Sequence, residues 1–420
     1  MTSNFKLTLL SGVAAAAVTV MTAGTANATF GMLPHCVGTV KCGMGGAGSA
    51  RGIAAVDATV NPAVGAQMGN QYQVNLGVFK ANVTGRTSTT TYNAAGVATN
   101  AGRVQGPVQH SDGTFPNGSL GVNYKIDDKT TFNLSIVPGG GGASKWARSR
   151  TADAGQTTND QEITYEMVYI QPSMAFKVSD KASYGVGAIL SRATMKTDSI
   201  YGNFTATANP NSKATFWGVG FQAGGVWNLA DLNQGKFAVN LRSPVWHQDT
   251  GTNYNNKVFV SPIDTPMQLT AGIDFVPMDK LTVAMDYKYV NWAGTETIGA
   301  WPAATPAGFG WVDQHIVMFG LEYALDDATN LRAGYSHGNS PIREDNVFAN
   351  FLFPAIVEDH FTVGADTNIG GAMNVGFSAY VTPEASLVDN GTGGSYSAMG
   401  AGTSLRHQQY GFQLSFKNDF

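Results

Sequence analysis

The feature that most restricts this chain is a beat of two. In "QYQVNLGVFK" Tyr72, Val74, Leu76 and Val78 share one parity, and Gln73, Asn75 and Gly77 the other. The alternation returns in Leu120/Val122/Tyr124, Phe132/Leu134/Ile136, Leu281/Val283/Met285/Tyr287/Tyr289, Ile316/Met318, Phe361/Val363 and Phe412/Leu414/Phe416. Successive strand side chains point to opposite faces, so each run predicts a strand with one apolar face. Asp286 and Lys288 oppose the apolar row of their run, and Arg242 opposes Phe237, Val239 and Leu241. A basic residue facing lipid costs about 2–4 kcal/mol at the bilayer midplane, so these charges belong on an inner face. Lys80 breaks the rule and is expected at a strand end, where the cost falls to about 0–1 kcal/mol.

The connections sort into two kinds. Short Asp-, Gly- and Asn-rich links stand at "KIDDKT", "KVSDKA", "LADLNQGK", "FVPMDK", "ALDDATN" and "TNIGGA", with long Gly/Ser/Thr/Asn stretches between them, such as 84–117, 193–215, 292–313 and 383–408. About fourteen strands, six short turns and seven long loops result. Turns on one side and loops on the other are the outer-membrane barrel arrangement, which soluble sandwiches have no reason to adopt. Only 13% of the 420 residues are charged, half the usual soluble share. The last strand, "YGFQLSFKNDF", carries an aromatic row ending in Phe420 and is placed to close the cylinder against the first. The expected fold is all-β: a 14-stranded antiparallel transmembrane β-barrel spanning 71–420, in the bacterial outer membrane.

What precedes the barrel divides in two. Residues 1–28 have a basic start at Lys6, a short apolar core and Ala26-Asn27-Ala28, the layout of a cleaved signal peptide. Loss of Lys6 moves the formal charge from −4 to about −5, too mild to suggest a nucleic-acid partner. Residues 29–70 are small, Gly/Ala-rich and do not alternate. A lumen enclosed by about fourteen strands is too wide for side chains to fill, so this segment is expected inside it as a plug. Cys36 and Cys42, the only cysteines, fit a disulfide better than a metal site, for which His35 alone is at hand. Gly43, Gly45 and Gly48 match G-x-G-x-x-G, but without a βαβ unit or an acid about twenty residues on they predict no dinucleotide; no cofactor is expected. Pro138 and Gly139, Gly140, Gly141 and Gly142 lie where the third strand should run, and mark a bulge, bend or early strand end.

"DATVNPAVGAQMG" resembles the hatch signature of the FadL family, with Asn61, Pro62 and Ala63 matching its Asn-Pro-Ala motif. "VNLRSPVWHQDTG", "TPMQLTAGIDFVPMDKLTVAMDYKYVNWAG" and "LRAGYSHGNSPI" resemble further family segments in order, over nearly the whole mature chain. The resemblance implies a monomeric channel for passive uptake of a hydrophobic small molecule, a long-chain fatty acid or an aromatic hydrocarbon. It implies capture by extracellular loops, here Ile200, Tyr201, Phe204, Val245 and Trp246, then a hatch movement near Asn61–Ala63. Lateral release into outer-membrane lipid would follow through an inward kink at Pro138–Gly142. Arg242, Asp286, Lys288 and Arg332 are candidate lumen and ligand-path residues, and the three cations are equally able to pair with Asp286, Asp274 or Glu322 across the lumen. The alternative is a general porin for polar solutes. An outer-membrane hydrolase is the weaker rival, since no G-x-S-x-G or H-E-x-x-H occurs and the seven histidines are scattered.

Overall fold

Alternating runs become strands because a bilayer leaves backbone groups no partner except a neighbouring strand, and only a closed ladder satisfies all of them. The computed structural model describes residues 29–89, 104–146, 161–197, 213–248, 263–302 and 308–420. Fourteen antiparallel strands form the wall: β1 Gln71–Arg86, β2 Gly113–Lys125, β3 Thr130–Trp146, β4 Gln161–Ser179, β5 Ala182–Thr197, β6 Lys213–Leu229, β7 Gly235–Arg242, β8 Gln268–Met278, β9 Leu281–Val290, β10 Gln314–Ala324, β11 Thr329–Gly338, β12 Asp359–Gly370, β13 Met373–Val381 and β14 Ser404–Asp419. Each pairs with its chain neighbour, and β14 closes the cylinder on β1 from Gln71↔Asp419 to Arg86↔Ser404. Tyr410, Phe412, Leu414 and Phe416 face outward, as do Leu76 and Val78 of β1. No helix among the described residues is long and apolar enough to cross a membrane; the strands do the crossing.

The six short links are hairpin turns at one end. In two of them a single carboxylate organises the turn. Asp127 Oδ1 accepts from the Lys129 and Thr130 amides at 2.8 Å each, and Asp326 Oδ1 from those of Ala328 and Thr329 at 2.9 and 2.7 Å.

Two expectations fail in detail. β1 continues to Arg86, so Lys80 lies well inside the strand. Ile316 and Met318 are buried on the lumen side, and Val317 and Phe319 face outward. The inward pair is apolar because it meets the plug: a Cβ on Gly46 would lie 3.1 Å from the Met318 sulfur.

Residues 29–70 fill the lumen through a short helix α1, Thr39–Gly43, and two 3-10 turns, Ala55–Thr59 and Pro62–Gln67. The wall makes room with glycines. A Cβ on Gly334 would come 2.2 Å from Gly45 N, and one on Gly185 2.4 Å from Ala63 N. Gly43 in turn sits against the Gly364 backbone, where its own Cβ would be 3.1 Å from the Gly364 Cα. Backbone therefore packs on backbone, which only the missing side chain allows. The signal-peptide expectation, residues 1–28, lies outside the described residues.

Candidate functional site: a plugged lumen beside a gap in the wall

The hatch motif is an anchor. Asn61 Oδ1 accepts from the Ala63 amide at 3.0 Å, and its Nδ2 donates to the Ser49 and Gly225 carbonyls at 3.2 and 3.3 Å. Asn61 thus caps the turn that Pro62 opens, where a proline costs no hydrogen bond, and ties it to β6. The Ala63 carbonyl accepts from Ser183 Oγ of β5 at 3.1 Å.

The glycine loop 43–48 wraps an internal cation. The Lys41 ammonium donates to the Gly48 carbonyl and, at 2.8 Å, to that of Arg51, and stands 3.9 Å from Asp57. Carbonyls converge on an ammonium here, the reverse of the N–H cradle that holds a pyrophosphate. Cys36 and Cys42 form a disulfide just before this loop, so neither sulfur is a thiolate ligand.

Two of the four lumen charges are structural. Asp286 receives the Ser49 amide at 2.9 Å and Ser49 Oγ at 3.0 Å, holding the hatch to β9. Arg332 is buried between Glu322, 2.7 Å away, and Asp366, and Glu322 also takes Arg51 of the hatch at 3.0 Å. Arg242 and Lys288 differ: both line a cavity of about 60 Å³ with Lys41, Gln171, Asn240 and Asp286 on one side and Leu33, Val37, Val137 and Pro138 on the other. Arg242 also donates to the Thr59 carbonyl at 2.6 Å and lies over the Tyr169 ring. His35 overlooks this cavity, and burial beside Lys288 pushes its pKa from 6.5 down to about 3.

Next to the cavity the wall is incomplete. β2 and β3 pair only from Lys125↔Thr131 to Leu120↔Ile136. Beyond that, Gly113–Ser119 continue their ladder with β1, and β3 continues its ladder with β4. The break coincides with the Pro138–Gly142 run, where a bulge shifts the β3–β4 register between Pro138 and Gly140. The strand does not end there; it continues to Trp146, and Ser111 Oγ rejoins the two sides at Lys145 N, 2.7 Å away. The opening is occupied from inside: the Gly141 amide donates to the Met32 carbonyl at 2.8 Å, and Gly140, at φ 132°, would drive a Cβ to 2.3 Å from that oxygen. A second small void, about 20 Å³, lies at this gap between Asn117, Ser119, Pro138, Tyr380 and the hatch loop Pro34–Gly38.

Above the hatch, loops the alternation did not reveal fold into the lumen. Phe348, Phe351, Leu352, Phe353, Ile356 and Val357 fold inward, with Trp146 Nε1 donating to the Phe351 carbonyl at 3.0 Å. Trp292 and Trp311 meet edge to face over Gly31. The signal was present as "VFANFLFPAIV", an apolar run inside a long loop. Of the proposed capture residues, Trp246 is exposed, Val245 is buried in the core, correcting its assignment to an outer surface, and Ile200, Tyr201 and Phe204 lie outside the described residues.

A fourteen-stranded barrel with a docked N-terminal plug and polar residues on its inner face is an outer-membrane transport barrel. The profile of the outer membrane protein transport family (OMPP1/FadL/TodX) matches residues 18–420, and the chain belongs to that family. A Pseudomonas aeruginosa FadL homologue superposes with TM-score 0.65 at 17% identity, covering 93% of this chain and 100% of its own. The P. putida toluene transporter TodX gives 0.66 at 15%, with 92% and 99% covered, and the Ralstonia pickettii toluene transporter TbuX 0.62 at 16%, with the same coverage. At such identities the likeness is one of fold. No curated protein matches the sequence. The family is one of transport proteins, and the hydrolase reading falls with that assignment.

Proposed function

We propose that the protein carries hydrophobic compounds across the outer membrane and releases them sideways through the gap between β2 and β3. The observation that carries this reading is the coincidence of three things: the end of the β2–β3 ladder at Ile136, the bulge at Pro138–Gly140, and the cavity that reaches Val137 and Pro138 from inside. A polar-solute porin needs an open lumen, whereas here the hatch leaves about 60 Å³, less than the roughly 150 Å³ that holds a benzene. Passage therefore requires movement. Asn61–Ala63 is tied into the wall, so the moving part is the segment from Phe30 to Val37, whose residues 34–37 line both the cavity and the void at the gap. Burial at about 0.8 kcal/mol per CH₂ favours each apolar step, and no energy source is needed. Arg242 and Lys288 at the cavity favour a cargo with an acidic head, a long-chain fatty acid over a neutral aromatic hydrocarbon, as the fatty-acid transport of the FadL family implies. The monomer is the expected unit.

The test is uptake into proteoliposomes of a long-chain fatty acid and of toluene. Gly140→Val with Gly141→Val should cut both at least tenfold while the heat-modifiable barrel band persists. Arg242→Met with Lys288→Met should lower fatty-acid uptake alone. Unchanged uptake in the glycine variant would sink lateral release; equal losses for both cargoes in the cation variant would sink the acid preference.

A further inference from the structure

The segment that fills the gap carries a histidine, and two more histidines wait for it on the wall. His35 of the hatch stacks on His360 of β12 at 4.8 Å between ring centroids and 15° between planes. Phe30 meets His360 edge to face at 4.8 Å, and Tyr380 of β13 meets His35 at 4.3 Å. His407 of β14 stands close enough to His360 for their charges to interact. It has its own fixings, Nδ1 to the Pro354 carbonyl at 2.6 Å and Nε2 to Gln409 at 3.0 Å. All three imidazoles are buried, and among the described residues neither ring nitrogen of His360 has a hydrogen-bond partner. A buried imidazole stack, with His360 unpartnered among the described residues and His407 close by, is more than packing requires, since any aromatic ring would fill the same space.

We propose that this group is an acid-operated latch on the wall gap, its protonation expelling the Phe30–Val37 segment and opening the path into the bilayer. The inference rests on that segment being the movable part. The cavity that His35 overlooks carries the Lys41 and Lys288 ammoniums and the Asp286 carboxylate, which the Ser49 amide and hydroxyl already occupy. His35 faces Lys288 of β9, His360 of β12 and Tyr380 of β13; His360 faces His35, Tyr380 and His407. Among the described residues no carboxylate forms an ion pair with any of the three; Asp359, next to His360 in sequence, points the other way and binds His337 at 2.9 Å. A proton on His35 therefore meets the Lys288 ammonium, and a second proton on His360 would meet the first, in buried surroundings that resist charge. His360 and His407 are fixed in strands, while His35 sits on a loop. Of the three only His35 is on a loop, and among the described residues that loop's backbone bond to the kinked strand runs from Gly141 N–H to the Met32 carbonyl.

The sign follows from linkage. In the closed state His35 holds its proton only near pH 3, and once exposed it returns to about 6.5. A group whose pKa is depressed in the closed state favours closure fully above the exposed value. That preference is lost progressively as pH falls from about 6.5 toward 3. The opening constant then rises about tenfold per pH unit for one histidine, and more steeply if His360 follows.

Hydrogen exchange at the Gly141 amide reads the latch without any cargo. In the full chain in detergent micelles, its protection factor, corrected for intrinsic exchange, should drop about fivefold from pH 6.5 to 5.5 and about ninefold more from 5.5 to 4.5. Amides deep in the β8–β9 ladder should keep theirs. His35→Gln with His360→Gln should flatten the pH dependence; His360→Phe, which preserves the ring packing, should flatten it in part. Proteoliposome uptake of a non-ionisable apolar probe should rise over the same interval in the wild type only. Constant Gly141 protection, or an undiminished slope in the double variant, would overturn the latch. Failure of uptake with a normal exchange response would instead count against lateral release.

Discussion

At the scale of single residues, the inward charges divide by what the hatch leaves them. Arg332 has no free face: Glu322 and Asp366 hold its guanidinium, and Arg51 shares Glu322. Removing one partner of a buried ion pair strands the others, at about 3–5 kcal/mol. Arg332→Met should therefore lower the urea midpoint of unfolding in micelles markedly, and adding Glu322→Gln and Asp366→Asn should restore most of the loss. A single variant as stable as the wild type would show the network to be solvated. Parity alone placed Arg242, Asp286 and Lys288 inside, because lipid forbids the other face, and Arg332 joined them as a lumen candidate. It could not say which were spoken for, since Glu322 and Asp366 reach Arg332 only through the β10–β11 and β11–β12 registers, and Asp286 meets its partner on the hatch. The glycines of 43–48 show the same limit: their letters match a phosphate loop, and only the fold shows them folded around Lys41.

At the scale of elements, turns and strands were legible for a local reason: each obeys a rule that needs only neighbours. The Asp-led turns illustrate it. Backbone hydrogen bonds, first those from Lys129 and from Ala328, hold the carboxyls of Asp127 and Asp326 below the usual 3.8. A depressed carboxyl supports its turn above the unfolded value and stops doing so as pH falls through the folded one. Exchange of the Lys129, Thr130 and Thr329 amides should thus stay slow at pH 5 and speed up below about 3.8, beyond the intrinsic change; equal protection at pH 5 and pH 2.5 would rule this out. The inward loops were not legible, because Phe348–Val357 is apolar without a period and takes its fold from Trp146, Ser144 and His407 across the lumen. Pro138–Gly142 stood between these cases: composition announced an irregularity, but whether the strand ended or bent depended on β4 continuing the ladder.

At the scale of the whole molecule, hatch and barrel are one hydrogen-bonded body. Ser49, Arg51 and Asn61 reach strands β9, β10 and β6, and Asn123 and Asn133 donate to hatch carbonyls from β2 and β3. The wall glycines that admit this body are its weak point, because a side chain there must displace backbone rather than a flexible tip. Gly185→Leu combined with Gly334→Leu should leave the β-ladders intact, since both are lumen-facing, while pushing the hatch from its seat. The wild type in planar bilayers should then show no steady ionic conductance, and the variant an ohmic pore that also admits sugars in liposome swelling. If the double variant fails to reach the heat-modifiable form, Ser49→Ala with Asn61→Ala gives the gentler version. That pair removes the Ser49 hydroxyl's bond to Asp286 and the Asn61 tie to Gly225 without adding bulk, leaves the Ser49 amide on Asp286, and should produce intermittent openings. A wild-type protein that conducts as freely as either variant would mean that the plug is not a seal. The sideways route would then lose its reason to exist, because an open lumen offers a shorter one.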